Sequence, residues 1–252
     1  MPILELKDVD IYYEVEGSGS PVVLIHHLAG STKSWKYVKP LLASRYTVIS
    51  FDLRGHGRSS VPNYGYTIED IAVDLVSLLE YLNVRDETLV GHSLGSLVAL
   101  ETSLRRGSDS LVLVGALYKA PDPIPYQSYM DVALRYGMEG LAYYRKIRGE
   151  FSELLSTNYY MWRDLVELYK ETSVLGYVNA VKGLLSAKNY ESLIPQLDKV
   201  TLVYGSEDRL KGNSEVFSKA KRYIYKELEG IGHFVNLESP VDLASIINLQ
   251  AK

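Results

Sequence analysis

Cysteine is absent from the chain. Disulfide bridges, thiolate metal sites and a cysteine nucleophile are therefore excluded. An excess of positive charge is lacking too. The 27 lysines and arginines stand against 31 acidic residues, giving a formal net charge of −4 with no basic stripe. Charge thus gives no support to a nucleic acid or an anionic membrane as partner. No apolar run approaches the ~18 residues of a membrane span. The opening MPILELKDVDIYYEVEG has no basic segment followed by an apolar run, so it does not read as a signal peptide. A cytoplasmic protein is the expectation. His26, His27 and His56 invite thought of a metal, but no H-x-H-x-D-H or H-E-x-x-H spacing exists. Neither a metal nor another cofactor is expected.

What is present is the makings of one good core. Of the 252 residues, 46% are hydrophobic and 23% charged, ordinary values for a globular domain of this length. Ile3 to Glu16 alternates enough for two antiparallel strands, with Lys7-Asp8 as the turn between them. Residues 17–21 read as a turn, and Val22 to Ile25 as a strand covered on both faces. A short helix is expected over Trp35 to Ala43, then a strand over Thr47 to Phe51. Thr67 can cap a helix reaching about Leu82, whose apolar residues recur at helical spacing. Further strands are expected at Thr88–Val90, Ser110–Gly115, Lys199–Tyr204 and Tyr223–Leu228. Short helical stretches belong near Asn213 to Lys219 and from Val241 onwards. Between Leu117 and Leu197 there is no good buried strand, but several amphipathic helical stretches rich in tyrosine. This predicts an α/β fold with a mostly parallel central sheet, helices on both faces and a helical lid inserted after the sixth strand. Residues 1–116 and 198–252 form the core, and 117–197 the lid.

The most informative stretch is Glu87 to Leu100, ETLVGHSLGSLVAL. A buried strand runs into Gly91-His92-Ser93-Leu94-Gly95, and an apolar helix follows. So sharp a strand-to-helix turn needs glycine two residues either side of Ser93, and it pushes the hydroxyl outward above the helix amino terminus. G-x-S-x-G recurs by chance, so its weight depends on its company.

A serine hydroxyl needs a base, and the base needs an acid to fix its tautomer. His233, in Gly230-Ile231-Gly232-His233-Phe234, lies on a loop between the last strand and the last helix, where it can reach over the strand ends. For the acid, Asp208 just past a buried strand is favoured, with Glu207 and Asp122 as alternatives. The loop after Ile25 passes beside the turn, so the Leu28 amide can pair with that of Leu94 as an oxyanion hole. Asp52 and Arg54 are expected in one network fixing the next loop. His26, His56 and His92 read as structural or packing residues rather than catalytic ones. His27, His92 and Trp162 are candidates for touching substrate, and the lid tyrosines divide between packing and pocket lining.

Five blocks then carry a resemblance: LIHHLAGSTKSW, FDLRGHGRSS, LVGHSLGSLVAL, LVYGSEDRL and GIGHFVNLESP. Together they resemble the α/β-hydrolase superfamily, in particular its lid-bearing branch of small esterases, enol-lactonases, carbon–carbon bond hydrolases and perhydrolases. They span nearly the whole chain outside the lid, and the order Ser, Asp, His fits. The resemblance implies Ser93 as nucleophile, Asp208 as acid, His233 as base, and oxyanion amides from Leu28 and Leu94. One departure is His27, where the family usually has glycine; enol-lactonase relatives also lack that glycine. A serine nucleophile argues against the haloalkane dehalogenases and epoxide hydrolases of the branch, which attack with aspartate.

The function expected is hydrolysis of small, fairly apolar carboxylic esters or lactones through an acyl-enzyme on Ser93. Hydrolysis of a carbon–carbon bond in ring-cleavage products, or perhydrolysis, would use the same triad. The non-enzymatic alternative is a small-ligand receptor or scaffold that keeps the fold. Neither the substrate nor the oligomeric state is legible.

Overall fold

The computed structural model describes residues 2–108 and 110–251. Eight strands join in one sheet: β1 (Ile3–Glu5), β2 (Asp10–Glu16), β3 (Ser20–Ile25), β4 (Tyr46–Phe51), β5 (Thr88–His92), β6 (Ser110–Val114), β7 (Lys199–Gly205) and β8 (Arg222–Leu228). Their spatial order is β1-β2-β4-β3-β5-β6-β7-β8. β2 is antiparallel to both its neighbours, and every other pair is parallel. Parallel neighbours require crossovers, and here helices supply them. These are α1 (Lys39–Ala43), α2 (Ile68–Tyr81), α3 (Leu94–Arg106), α4 (Pro123–Ile147), α5 (Glu153–Thr157), α6 (Tyr159–Glu171), α7 (Val174–Leu185), α8 (Ser214–Phe217), α9 (Val235–Glu238) and α10 (Pro240–Gln250).

Strand periodicity divides the core in two. Val23 and Ile25 of β3 pack with Leu75 and Leu78 of α2 and Leu97 of α3. Val22 and Leu24 face the other way, onto Leu42 of α1 and Leu243 and Ile247 of α10. A third apolar cluster belongs to the insertion α4–α7 between β6 and β7, where Leu141, Leu165, Tyr169 and Val181 pack together. This lid cluster reaches Ala29, Phe234 and Leu237 of the core, so the lid rests on the loops that follow β3 and β8. Ion pairs also tie it down, Lys33 to Glu171 and Lys36 to Asp164.

Three local expectations need correction. The helix expected over 35–43 is a 3-10 turn, Thr32–Trp35, followed by the separate α1. Pro40 lacks the amide that a mid-helix position must donate, so it serves at the start of α1 instead. The turn over 17–21 is shorter than expected because Ser20 and Pro21 already pair with β4; β5 joins only from Val22, so the proline leaves no gap on that side. The cap is as read: Thr67 and Asp70 exchange hydrogen bonds at the start of α2.

Asp52 and Arg54 do not share a network. Asp52 accepts the amides of Thr32 at 2.6 Å and Arg58 at 2.8 Å, joining two loops. Arg54 instead clamps Asp74 of α2, with Nε and one terminal nitrogen each 2.6 Å from a carboxylate oxygen. Both side chains of that pair are buried. Removing one member of such a pair strands the other charge, at a cost of about 3–5 kcal/mol. Arg54→Met should therefore lower urea-measured stability by that order, and adding Asp74→Leu should recover most of the loss. Equal losses in the single and double variants would show that the clamp is not what the loop depends on.

Candidate active site

Ser93 ends β5 and precedes α3 with φ 54° and ψ −113°, a conformation that costs an L-residue about 1–3 kcal/mol. Its surroundings hold it there. The Ser93 amide donates to the Val114 carbonyl at 2.9 Å, and the Ser93 carbonyl accepts from the Ser96 hydroxyl at 2.5 Å. The Ser96 hydroxyl in turn accepts the Leu117 amide at 2.9 Å, so the turn is bonded to the third residue beyond β6. A Cβ on Gly95 would stand 2.3 Å from the Ile25 carbonyl oxygen, and one on Gly91 would stand 2.3 Å from that of Gly95. Only glycine lets β3, β5 and α3 approach so closely.

Asp208 and His233 meet at 2.8 Å, Oδ2 to Nδ1. Burial pushes the Asp208 carboxyl up, but the charge and hydrogen bond of His233, with the Leu210 amide at 2.9 Å, outweigh it and hold the carboxyl below its usual value. A carboxylate only accepts, so Nδ1 carries the proton and Nε2 is left to receive one. The alternatives to Asp208 do other things. Asp122 is exposed and caps α4 through the Ile124 amide, and Glu207 is exposed. Beneath the pair lies Gly115, at φ 53°; a Cβ there would come within 2.6 Å of the imidazole and 3.0 Å of the carboxylate.

The loop that carries His233 is held on two sides. Glu238 accepts the Gly232 amide at 2.9 Å, the Phe234 amide at 3.1 Å and the hydroxyl of Ser152 in the lid at 2.5 Å. His92 is fully buried, and its Nε2–H donates to the His233 carbonyl at 2.9 Å. That corrects the expectation of substrate contact for His92: its ring points into the core behind Ser93 and steadies the backbone of His233.

The loop after β3 is braced by imidazoles. His26 Nε2 accepts the Leu53 amide at 2.9 Å, so its Nδ1–H donates to the His27 carbonyl at 2.7 Å. His27 Nδ1 lies 2.9 Å from the Leu28 carbonyl and donates to it. With that carbonyl held, the Leu28 amide has no acceptor among the described residues, and neither has the Leu94 amide at the start of α3.

Ser93, His233, Asp208, Leu28 and His27 all line one cavity of about 410 Å³ between core and lid. Its far wall is lid: Tyr126, Tyr129, Arg145, Phe151 and Tyr177. Trp162 is not on it. That indole packs inside the lid against Tyr143 and Phe151, with the Lys146 ammonium 4.2 Å from its ring, because its face of α6 turns toward α4. Among the described residues, no group of three or more acidic or imidazole side chains is arranged to hold a metal ion.

The alpha/beta hydrolase family model matches residues 22–246. The chain belongs to the alpha/beta hydrolase family. A solved carboxylesterase from Nitrososphaera gargenis is 28% identical over 98% of this chain and 96% of its own, with a TM-score of 0.87. A bromoperoxidase from Bacillus anthracis is 26% identical over 96% and 95%, with a TM-score of 0.82. The enol-lactonase from Burkholderia xenovorans, at 20% identity over 98% of both chains and a TM-score of 0.83, shares the fold. Among curated relatives, a non-heme chloroperoxidase of Kitasatospora aureofaciens is 36% identical over 137 residues, 50% of each chain. An uncharacterized Mycobacterium tuberculosis protein is 37% identical over 46% of this chain and only 35% of its own length.

Several residues of the site are not legible in the sequence. Ser96 and Glu238 lie inside the blocks that carry the resemblance, but those blocks do not say that they bond to Leu117 and to Ser152; Gly115 lies in none of them and meets the side chains of Asp208 and His233 from far away in sequence. Arg145 sits in a helix whose periodicity says only that it is amphipathic. For Gly115 the signal was a glycine directly after an apolar strand.

No helix among the described residues is long and apolar enough to cross a membrane. Burial has another consequence. It lowers four histidines: His27 to about 3, His56 to about 4, and His26 and His92 well below 6.5. Unfolded, they take up protons near 6.5, so below that pH the unfolded chain binds more protons and stability must rise with pH. Each histidine kept neutral contributes up to about 1.4 kcal/mol per pH unit. Urea midpoints should be level above pH 7 and fall steeply from pH 6.5 to 5, before most carboxylates titrate. A flat profile across that window would contradict the buried, neutral imidazoles.

Proposed function

We propose that the chain is a serine hydrolase of carboxylic esters or lactones. The observation that carries this is the Asp208–His233 pair opening on the same cavity as Ser93, whose backbone is held in a strained turn. In this reading His233 Nε2 takes the Ser93 proton as the oxygen attacks the acyl carbon. The unpaired Leu28 and Leu94 amides hold the resulting oxyanion, a contribution typically worth ~10²–10³ in rate per donor. The imidazolium then gives its proton to the leaving oxygen. Water, deprotonated by the same nitrogen, attacks the acyl-enzyme, and the acid departs with Ser93 restored. Asp208 stabilises the imidazolium formed at each stage. Similarity to a carboxylesterase over nearly the full chain supports the choice of esters. Similarity to a bromoperoxidase supports a second reading, in which peroxide replaces water at the acyl-enzyme and yields a peracid. His27 supports the reading by bracing the oxyanion loop.

Short-chain p-nitrophenyl esters should be turned over by the wild type, and Ser93→Ala should lower kcat by at least ~10³. Asp208→Asn should cost up to ~10⁴, whereas Asp122→Asn should retain most activity. Turnover that survives Ser93→Ala would contradict the assignment. No turnover of any ester or lactone by folded protein would favour the receptor alternative.

A further inference from the structure

Arg145 is out of place in a cavity for apolar esters. It projects from α4 into the wall facing Ser93. Its Nε donates to Glu150 at 2.9 Å and one terminal nitrogen to the Tyr169 hydroxyl at 2.6 Å. The other terminal nitrogen has no acceptor among the described residues. The rings of Tyr129 and Phe151 each lie 5.1 Å from the guanidinium carbon, which leaves the planar edge as its remaining direction for hydrogen bonding. Two lid hydroxyls on the same wall, those of Tyr126 and Tyr177, are likewise without a partner, although Tyr177 is only 2% exposed.

The carboxylate that pairs with Arg145 is shared with half-exposed Arg148. Glu150 receives Arg145 and the Tyr129 hydroxyl on one oxygen and Arg148 on the other, so one carboxylate answers two guanidinium groups. Asp208 is committed to His233. Glu207 and Asp122 stand exposed at the rim, where water and salt screen them. A lid staple would use all its donors within the lid; Arg145 uses two there, on Glu150 and Tyr169, and leaves a terminal nitrogen on the cavity wall beside the hydroxyls of Tyr126 and Tyr177.

We propose that the substrate carries a free carboxylate in addition to its ester or lactone group. The carboxylate sits on the open edge of Arg145 and the hydroxyls of Tyr126 and Tyr177, while the acyl carbon lies at Ser93. The class is the short half-ester or carboxylate-bearing lactone, as befits a cavity of about 410 Å³. The inference rests on the hydrolase reading for the bond that is cleaved, but not for the anion site itself.

The test compares monomethyl glutarate with dimethyl glutarate, and measures glutarate binding to Ser93→Ala by calorimetry. The wild type should favour the half-ester in kcat/KM by ~10-fold or more, the scale of a charge-assisted hydrogen bond. Arg145→Gln should bring that ratio near one, chiefly through KM, and Arg145→Lys should restore part of it. Tyr177→Phe, which removes a single oxygen, should lower the ratio several-fold and serves if Arg145→Gln does not fold. Glutarate should bind Ser93→Ala, and at least ~10-fold more weakly once Arg145→Gln is added. A wild type that prefers the diester, or an Arg145→Gln variant that slows both esters equally, would overturn the anion site and leave ester hydrolysis standing. Arg145-dependent glutarate binding without hydrolysis of either ester would instead sink the hydrolase reading and uphold the site.

Discussion

Ser93 is held at a positive φ, and that strain exists only because three elements close around it. β3 supplies the carbonyls that Gly95 must clear, β6 accepts the Ser93 amide, and Ser96 returns a hydroxyl to the Ser93 carbonyl. A turn that costs about 1–3 kcal/mol persists when its neighbours over-determine it. The parallel sheet does this here. Its two apolar faces fix β3, β5 and β6 side by side, and their carboxyl ends then present one serine, two unpaired amides and a loop from β7 at a single edge.

The second dependence runs from the loops to the lid. Glu238 joins the backbone around His233 to Ser152, and His92 holds the His233 carbonyl from behind. The imidazole is thus positioned by Glu238 and His92, neither of which lines the cavity. His92 does so as a neutral ring, because burial disfavours its charged form. Rings of His92 and Phe234 back the His233 imidazole, which also lines the cavity.

Much of this was legible before any coordinates. Strand β5 and the glycines around Ser93 betray the turn because the sterics are local. The cap of α2 is legible for the same reason, since Thr67 and Asp70 are three residues apart. Asp208 and His233 were found because each follows an apolar strand. Pairings across long separations were not legible. Arg54 was assigned to the nearer Asp52, when its partner Asp74 lies on the next helix. A structural His92 is legible, but not that it bonds the backbone of the last loop instead of touching substrate. In the lid, periodicity marks helices but not which face meets the cavity, so Trp162 was suspected and Arg145 passed over.

The central claim is that Ser93 becomes acylated during turnover. The direct measurement is rapid acid quench of wild-type protein with a short-chain p-nitrophenyl ester, followed by mass spectrometry of the peptide spanning residues 87–106. The account predicts one acyl group on Ser93 that forms within the burst and decays as ester runs out. Turnover without any covalent species, or with the acyl group on another side chain, would contradict it.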